Sequence, residues 1–220
     1  MTAAQAPQVR AVSLAGDTAV SRFSPSGSAW DGLAETEIQL QPTPLDRQPS
    51  AYVQTAWEGK VYGTLSTAGL TVAVAGSTVH LRLRWLAPDP KTGITDNDVF
   101  ADAAAVLFPL NGVDAPLETM GDAQRPVQAW HWRAGTSQPF VVSASGLGTV
   151  TRLPRHSVEA SADWANGQWT AVFSRPLVAD GVKFPPGTSV PCGIAVWCGA
   201  RGERAGLKSH TAGWITLALP

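Results

Sequence analysis

The chain has 220 residues, enough to bury a full core, and all-β folds of this length are commonly one unit, so residues 1–220 read as a single domain. A formal net charge of −1 and the absence of any basic run exclude a nucleic-acid footprint and an electrostatic membrane surface, and no apolar stretch is long enough for a membrane span. Charged residues make up only 15%, below the usual quarter, so either a partner covers part of the surface or the sequence is simply biased toward Ala and Gly.

The first residues, Met1-Thr2-Ala3-Ala4-Gln5-Ala6-Pro7, carry neither a basic nor an apolar signal region. This predicts either a cytosolic protein or a mature form with a replacement Met1. Residues 42–49 read as a loop between early strands. Val79, Leu81, Leu83 and Trp85 alternate with His80, Arg82 and Arg84, the pattern of a half-buried strand whose polar face puts His80 in solvent. Residues 99–107, rich in alanine, are the best helical window, about two turns long. Asn111-Gly112 signals a turn. Residues 127–132 form a second strand, with Trp130 and Trp132 on one face and His131 on the other; His131 is expected to be a hydrogen-bonded core histidine. Further strands are expected at 140–142, 169–173, 192–197 and 214–219, with turns at Asn166-Gly167 and Pro185-Pro186-Gly187. Seventeen prolines leave little room for long helices, and no internal repeat appears. The architecture that fits is all-β: a β-sandwich of two packed antiparallel sheets with short helical segments.

Chemistry-bearing motifs are few. Cys192 and Cys198 share a face if their run is a strand, roughly 20 Å apart. A disulfide requires Cα atoms within about 7 Å, so both are expected to be free, buried thiols. The absence of C-x-x-C-H excludes covalent c-type haem. The histidines His80, His131, His156 and His210 show no metal spacing, and neither a nucleophile elbow nor a phosphate loop is present. No acid–base pair emerges, so no enzyme is expected. Two residues stand out. Met120, in Leu117-Glu118-Thr119-Met120-Gly121-Asp122, sits in a polar connection rather than an apolar element. It reads either as a loop methionine tucked against the core or as a soft metal ligand. Lys208, between a polar loop and the last strand, reads either as a solvated lysine or as an amine ligand. Ligation requires the neutral amine, which costs roughly 4–5 kcal/mol for an ordinary lysine at pH 7.

Five segments, in order from about residue 80 to the end, resemble a known family. They are Asp98-Val99-Phe100-Ala101-Asp102-Ala103-Ala104-Ala105-Val106-Leu107-Phe108-Pro109; Met120-Gly121; Pro126-Val127-Gln128-Ala129-Trp130-His131-Trp132-Arg133-Ala134; Gly167-Gln168-Trp169-Thr170-Ala171-Val172-Phe173-Ser174-Arg175-Pro176-Leu177; and Ile194-Ala195-Val196-Trp197-Cys198-Gly199 with Glu203-Arg204-Ala205-Gly206-Leu207-Lys208-Ser209 and Trp214. Together they are similar to the haem b-binding γ subunits of type II dimethyl sulfoxide reductase family molybdoenzymes. Members include ethylbenzene dehydrogenase, dimethylsulfide dehydrogenase, chlorate reductase and selenate reductase.

The resemblance implies a sandwich akin to family 9 carbohydrate-binding modules and a non-covalent haem b. It assigns the axial ligands to Met120, in its Met-Gly dipeptide, and to Lys208, before the final Trp-containing strand. Cys198 departs from the acidic or polar residue expected after the tryptophan. Arg201 and Arg204 read as solvated loop charges, with propionate pairing the alternative. The implied function is a non-catalytic, periplasmic electron-transfer subunit. Its partners would be an iron–sulfur β subunit, a molybdopterin-bearing α subunit and a soluble cytochrome. One rival is a carbohydrate-binding module, which the tryptophans would suit but which needs neither Met120 nor Lys208. Another is a free-standing haem protein.

Overall fold

A computed structural model describes residues 7–15, 20–94, 96–111 and 114–220. Gly112 of the Asn111-Gly112 turn signal, and the N-terminal segment up to Ala6, lie outside the described residues. The early strands are β1 (Gln8–Arg10), β2 (Val12–Leu14), β3 (Thr36–Gln39) and β4 (Gln41–Pro42), followed by one short helix, α1 (Ala51–Trp57). The central strands are β5 (Thr67–Ala75), β6 (Thr78–Leu86), β7 (Ala103–Pro109), β8 (Val127–Arg133), β9 (Phe140–Ala144) and β10 (Thr151–Arg152). The chain finishes with β11 (Glu159–Ala165), β12 (Gln168–Pro176), β13 (Ser189–Trp197), β14 (Ser209–His210) and β15 (Ile215–Ala218).

Two sheets form from these strands. The larger runs β1-β15-β13-β7-β8-β9-β10, with β14 bridging β13 and β4; the smaller runs β11-β12-β6-β5-β2, with β3 beside β5. Pairing is antiparallel except at β1 with β15 and β2 with β5, where short N-terminal strands add in parallel. The expected sandwich is therefore present, with these two parallel edges as a refinement. The Asn166-Gly167 turn closes the β11–β12 hairpin with both residues at positive φ, 52° and 78°, the signature of a two-residue primed turn.

The core lies between the sheets. Val79, Leu81, Leu83 and Trp85 of β6 point inward as their alternation requires, at most 4% exposed. They meet Trp169, Ala171 and Phe173 of β12, and Ala104, Val106, Phe108, Trp130 and Trp132 from the facing sheet. Trp132 sits edge-on to Trp169 at 5.0 Å, and the Trp169 indole N–H donates to the buried Asp102 carboxylate at 2.8 Å, so the ring's polar edge is matched.

Three expectations fail, each for a packing reason. Residues 99–107 are not helical; β7 starts at Ala103. All seven β7 residues are buried, on both faces, so the strand reads as a continuous apolar run without the alternation that marks a half-buried strand. His80 is not in solvent but 1% exposed. The Phe23 ring stacks on it at 3.7 Å, and Trp30 lies against the neighbouring Arg82, so the segment before β3 covers this face of the smaller sheet. Cys192 and Cys198 are both free as expected, but only Cys192 is buried; Cys198 is half-buried.

Candidate functional site

The outer face of the larger sheet, over β9, β8, β7 and β13, carries small side chains where a solvent-facing sheet would carry polar ones. Ala103, Ala105, Ala129 and Ala195 form a floor, and a cavity of about 510 Å³ opens above it. Its walls include Leu107, Phe140, Val142 and Trp197. This size and apolar lining suit a bound organic cofactor. Met120 and Lys208, distant in sequence, both line this one cavity.

Met120 is brought there by a strained turn. Its φ is +58°, in the left-handed region that non-glycine residues rarely occupy, and Gly121 follows at +80°. A Cβ on Gly121 would lie 2.5 Å from the Arg125 carbonyl oxygen, so glycine is required for the close approach as well as the φ. Backbone bonds hold the turn: Met120 N–H donates to Leu117 O at 3.0 Å, Gly121 N–H to Pro116 O at 2.7 Å, and Gly146 N–H to Met120 O at 3.2 Å. The Asp122 carboxylate accepts from the backbone of Gln124 and Arg125 and from the Arg125 guanidinium, whose hydrogen bond holds its pKa below the usual carboxylate value. The half-buried thioether packs against both the cavity floor and the Ala115, Val127, Ala144 cluster.

Lys208 is fixed by the chain on either side. The Thr43 N–H donates to Lys208 O at 3.0 Å, and Lys208 N–H donates to Thr43 Oγ1 at 3.4 Å. The Thr43 hydroxyl also donates to Gly206 O, as does the Gln48 amide. Upstream, the buried Glu203 carboxylate accepts from Gly63 N–H at 2.7 Å and Cys198 N–H at 2.8 Å, tying the 199–207 loop to the sheet end. Burial raises the Glu203 pKa, against the pull of those two backbone donors. The Lys208 side chain is 7% exposed and makes no ion pair among the described residues; its amine lies 5.4 Å from the Trp197 ring centroid. Burial without a counter-charge lowers its pKa from 10.5 to about 8.

His131 stands on the same wall, stacked on Phe140 at 4.3 Å and tilted against Trp197 at 5.0 Å. The expected core hydrogen bond is absent: Nδ1 is buried with no partner among the described residues. Burial first, then the nearby charges of Arg133 and Lys208, push its pKa down to about 3, so the imidazole is neutral. Of the two loop arginines, Arg204 lines the cavity while Arg201 opens onto a different one. Nothing in the local sequence signals the roles of Thr43, Gln48 and Glu203. They act through backbone atoms across more than a hundred residues, and no local pattern encodes that.

Chemically, the cavity offers a soft thioether, an amine that burial inclines toward neutrality and the neutral imidazole of His131. Among the described residues no group of three or more His, Cys, Asp or Glu side chains is placed to hold a bare metal ion. A metal in the cavity would bring most of its ligands with it, which is the situation of a metal inside a planar macrocycle.

A family model described as ethylbenzene dehydrogenase matches residues 151–209, a span that includes Lys208. The chain is 32% identical to the chlorate reductase subunit gamma of Ideonella dechloratans over 216 residues, 95% of this chain and 83% of that protein. It is 30% identical over 189 residues to a Haloferax mediterranei protein described as "Putative respiratory nitrate reductase heme subunit ORF7", covering 84% of this chain and 64% of that one. In fold it is similar to a family 9 carbohydrate-binding module from Caldicellulosiruptor kristjanssonii in complex with glucose. That match has a TM-score of 0.50 at 6% identity and covers 97% of this chain and 95% of that one.

Proposed function

The chain belongs to the family of γ subunits of type II dimethyl sulfoxide reductase family enzymes, and on that premise we propose that it is a haem-carrying electron-transfer subunit. Met120 and Lys208 hold a non-covalent haem b in the cavity over the alanine floor. The observation that carries this reading is that both side chains reach the same apolar cavity. A sugar-binding module needs neither of them.

The residues fit the group. The alanine floor leaves room for a flat ring, and Phe140, Val142, Leu107 and Trp197 exclude water around it. Lys208 must offer a lone pair. With its pKa near 8, the amine gives up its proton at neutral pH for about 1.4 kcal/mol, against about 5 for an exposed lysine. Met120 supplies a soft donor from a turn that bears the strain of its left-handed backbone, so the thioether is positioned before the cofactor arrives. With no C-x-x-C-H in the sequence, cavity contacts and these two ligands are the whole attachment. When bound, the haem supplies a one-electron couple. Held by both Met120 and Lys208, it would carry electrons one at a time rather than bind a substrate.

By the family reading, an iron–sulfur β subunit and a molybdopterin-bearing α subunit are the partners within a periplasmic complex. A soluble cytochrome stands at the other end of the relay. The test is the absorption spectrum of protein produced with ample haem, oxidised and then reduced with dithionite. The expected result is a low-spin Soret band that sharpens on reduction, with haem fully extracted by acidified acetone. Protein without a Soret band, or haem that stays on the denatured chain, contradicts the proposal.

A further inference from the structure

The charged groups around the cavity are gathered at one end of it. Strand register sets this out. Trp197, Ala103 and Arg133 lie in one cross-strand row, and Leu107, Ala129 and Val142 lie in another. The rows are four residues apart on β7, about 13 Å along the strand. Arg204, in the loop that follows Trp197, belongs to the first end: its guanidinium lies 4.3 Å over the ring of Phe100, which precedes β7. Arg133 and Arg204 both line the cavity and are both exposed, and neither makes an ion pair among the described residues. The one carboxylate among the described lining residues, Glu203, has its two oxygens engaged by the backbone of Gly63 and Cys198. The second end, with Leu107, Val142 and the Met120 turn packed beside Val127 and Ala144, carries no charged side chain in the lining.

A cavity of this kind selects an occupant that is apolar over most of its body and acidic along one edge. Guanidinium groups, with their paired N–H donors, match carboxylates in a two-point contact that lysine cannot make. We propose that Arg133 and Arg204 bind the two propionates of the haem and so fix which way round it enters, with its apolar edge toward Leu107 and Val142. This rests on the haem reading above. It assigns Arg204, but not Arg201, to the cofactor, and adds Arg133, on the strand that carries His131.

Haem and haem dimethyl ester, whose propionates are blocked, separate the two readings. Full-length apoprotein is titrated with each, and the Soret change gives both affinities. Wild-type protein should bind free haem about tenfold more tightly than the ester. The Arg133→Gln/Arg204→Gln double variant should bind the two alike, while Arg155→Gln, whose side chain opens onto another cavity, should keep the wild-type preference. Equal wild-type affinity for acid and ester, or a preference that survives in the double variant, overturns the arginine assignment and leaves the haem reading standing. A wild-type protein that forms no Soret complex with either compound overturns both. The wild-type comparison needs no variant, so misfolding of the double variant would not protect the proposal.

Discussion

Single residues at this site are set by conflicts between local preference and surroundings. Met120 takes a backbone conformation that costs of order 1 kcal/mol or more, and the hydrogen-bonded turn around it holds it there. Lys208 is buried and makes no ion pair among the described residues, which is unfavourable for the charged amine. That burial gives a pH signature in the haem-free protein. Lys208 has a folded pKa near 8 against 10.5 for the unfolded chain, so between these values the unfolded state binds the extra proton. Lys208 should therefore contribute about 2 kcal/mol of added stability as pH is raised from 8 to 10, read as the difference between wild type and Lys208→Met, because burial raises the Cys192 thiol's pKa and works the other way in both proteins. Urea titrations of both proteins at several pH values check this. A difference between wild type and Lys208→Met that stays constant over this range would mean that the amine is solvated. The local sequence around Met120 and Lys208 left each of them two readings, and family resemblance chose between them. His80 and His131 were misread because strand alternation says which face a residue takes, not what covers that face. Phe23 covers the first, and Phe140 and Trp197 flank the second.

At the scale of elements, β7 is the informative case. Ala103, Ala105 and Leu107 face the cavity while Ala104, Val106 and Phe108 face the core. Because both faces are apolar, periodicity could not separate this strand from a short helix, and alanine content tipped the reading the wrong way. The strands with one polar face, such as β6, were legible from alternation alone, and the Asn166-Gly167 hairpin from its turn residues. The alanines of β7, β8 and β13 have a role that their helix propensity hides: they keep the floor low. Enlarging one of them tests this. Ala105→Leu points its added atoms into the cavity rather than the core, so the fold should survive, with thermal stability within about 1 kcal/mol of wild type, while haem affinity falls at least about tenfold. Calorimetry and haem titration read the two effects separately. Wild-type haem affinity in this variant would place the cofactor elsewhere.

For the molecule as a whole, buried imidazoles set the response to acid. Three histidines are held neutral, His80 and His210 in the interior at about 4 and His131 on the cavity wall at about 3, in each case chiefly by burial. Their unfolded values lie near 6.5. As pH falls from 6.5 toward 4 the unfolded chain takes up protons that the folded chain refuses, so stability is lost over this window. The urea midpoint of the apoprotein should decline steadily across it, and less steeply in His80→Phe, where one such group is gone. A midpoint that is constant from pH 6.5 to 4 would show that the imidazoles charge freely in the folded state. The sandwich itself was readable because its core strands follow simple alternation. The loops that fix Lys208 were not, because Thr43, Gln48 and Glu203 act on backbone atoms far away in sequence.

If Lys208 and Met120 together hold the haem, Lys208→Arg must break that arrangement. Arginine keeps the length and the positive charge of a protonated lysine, but its guanidinium stays protonated and has no lone pair to give a metal. The optical spectrum of the haem-loaded variant at neutral pH should lose its low-spin character, as Lys208→Ala also should, with Met120 left as the one protein ligand. A Lys208→Arg protein whose oxidised and reduced spectra match wild type would contradict the account and move attention to His131, the neutral imidazole on the same cavity wall.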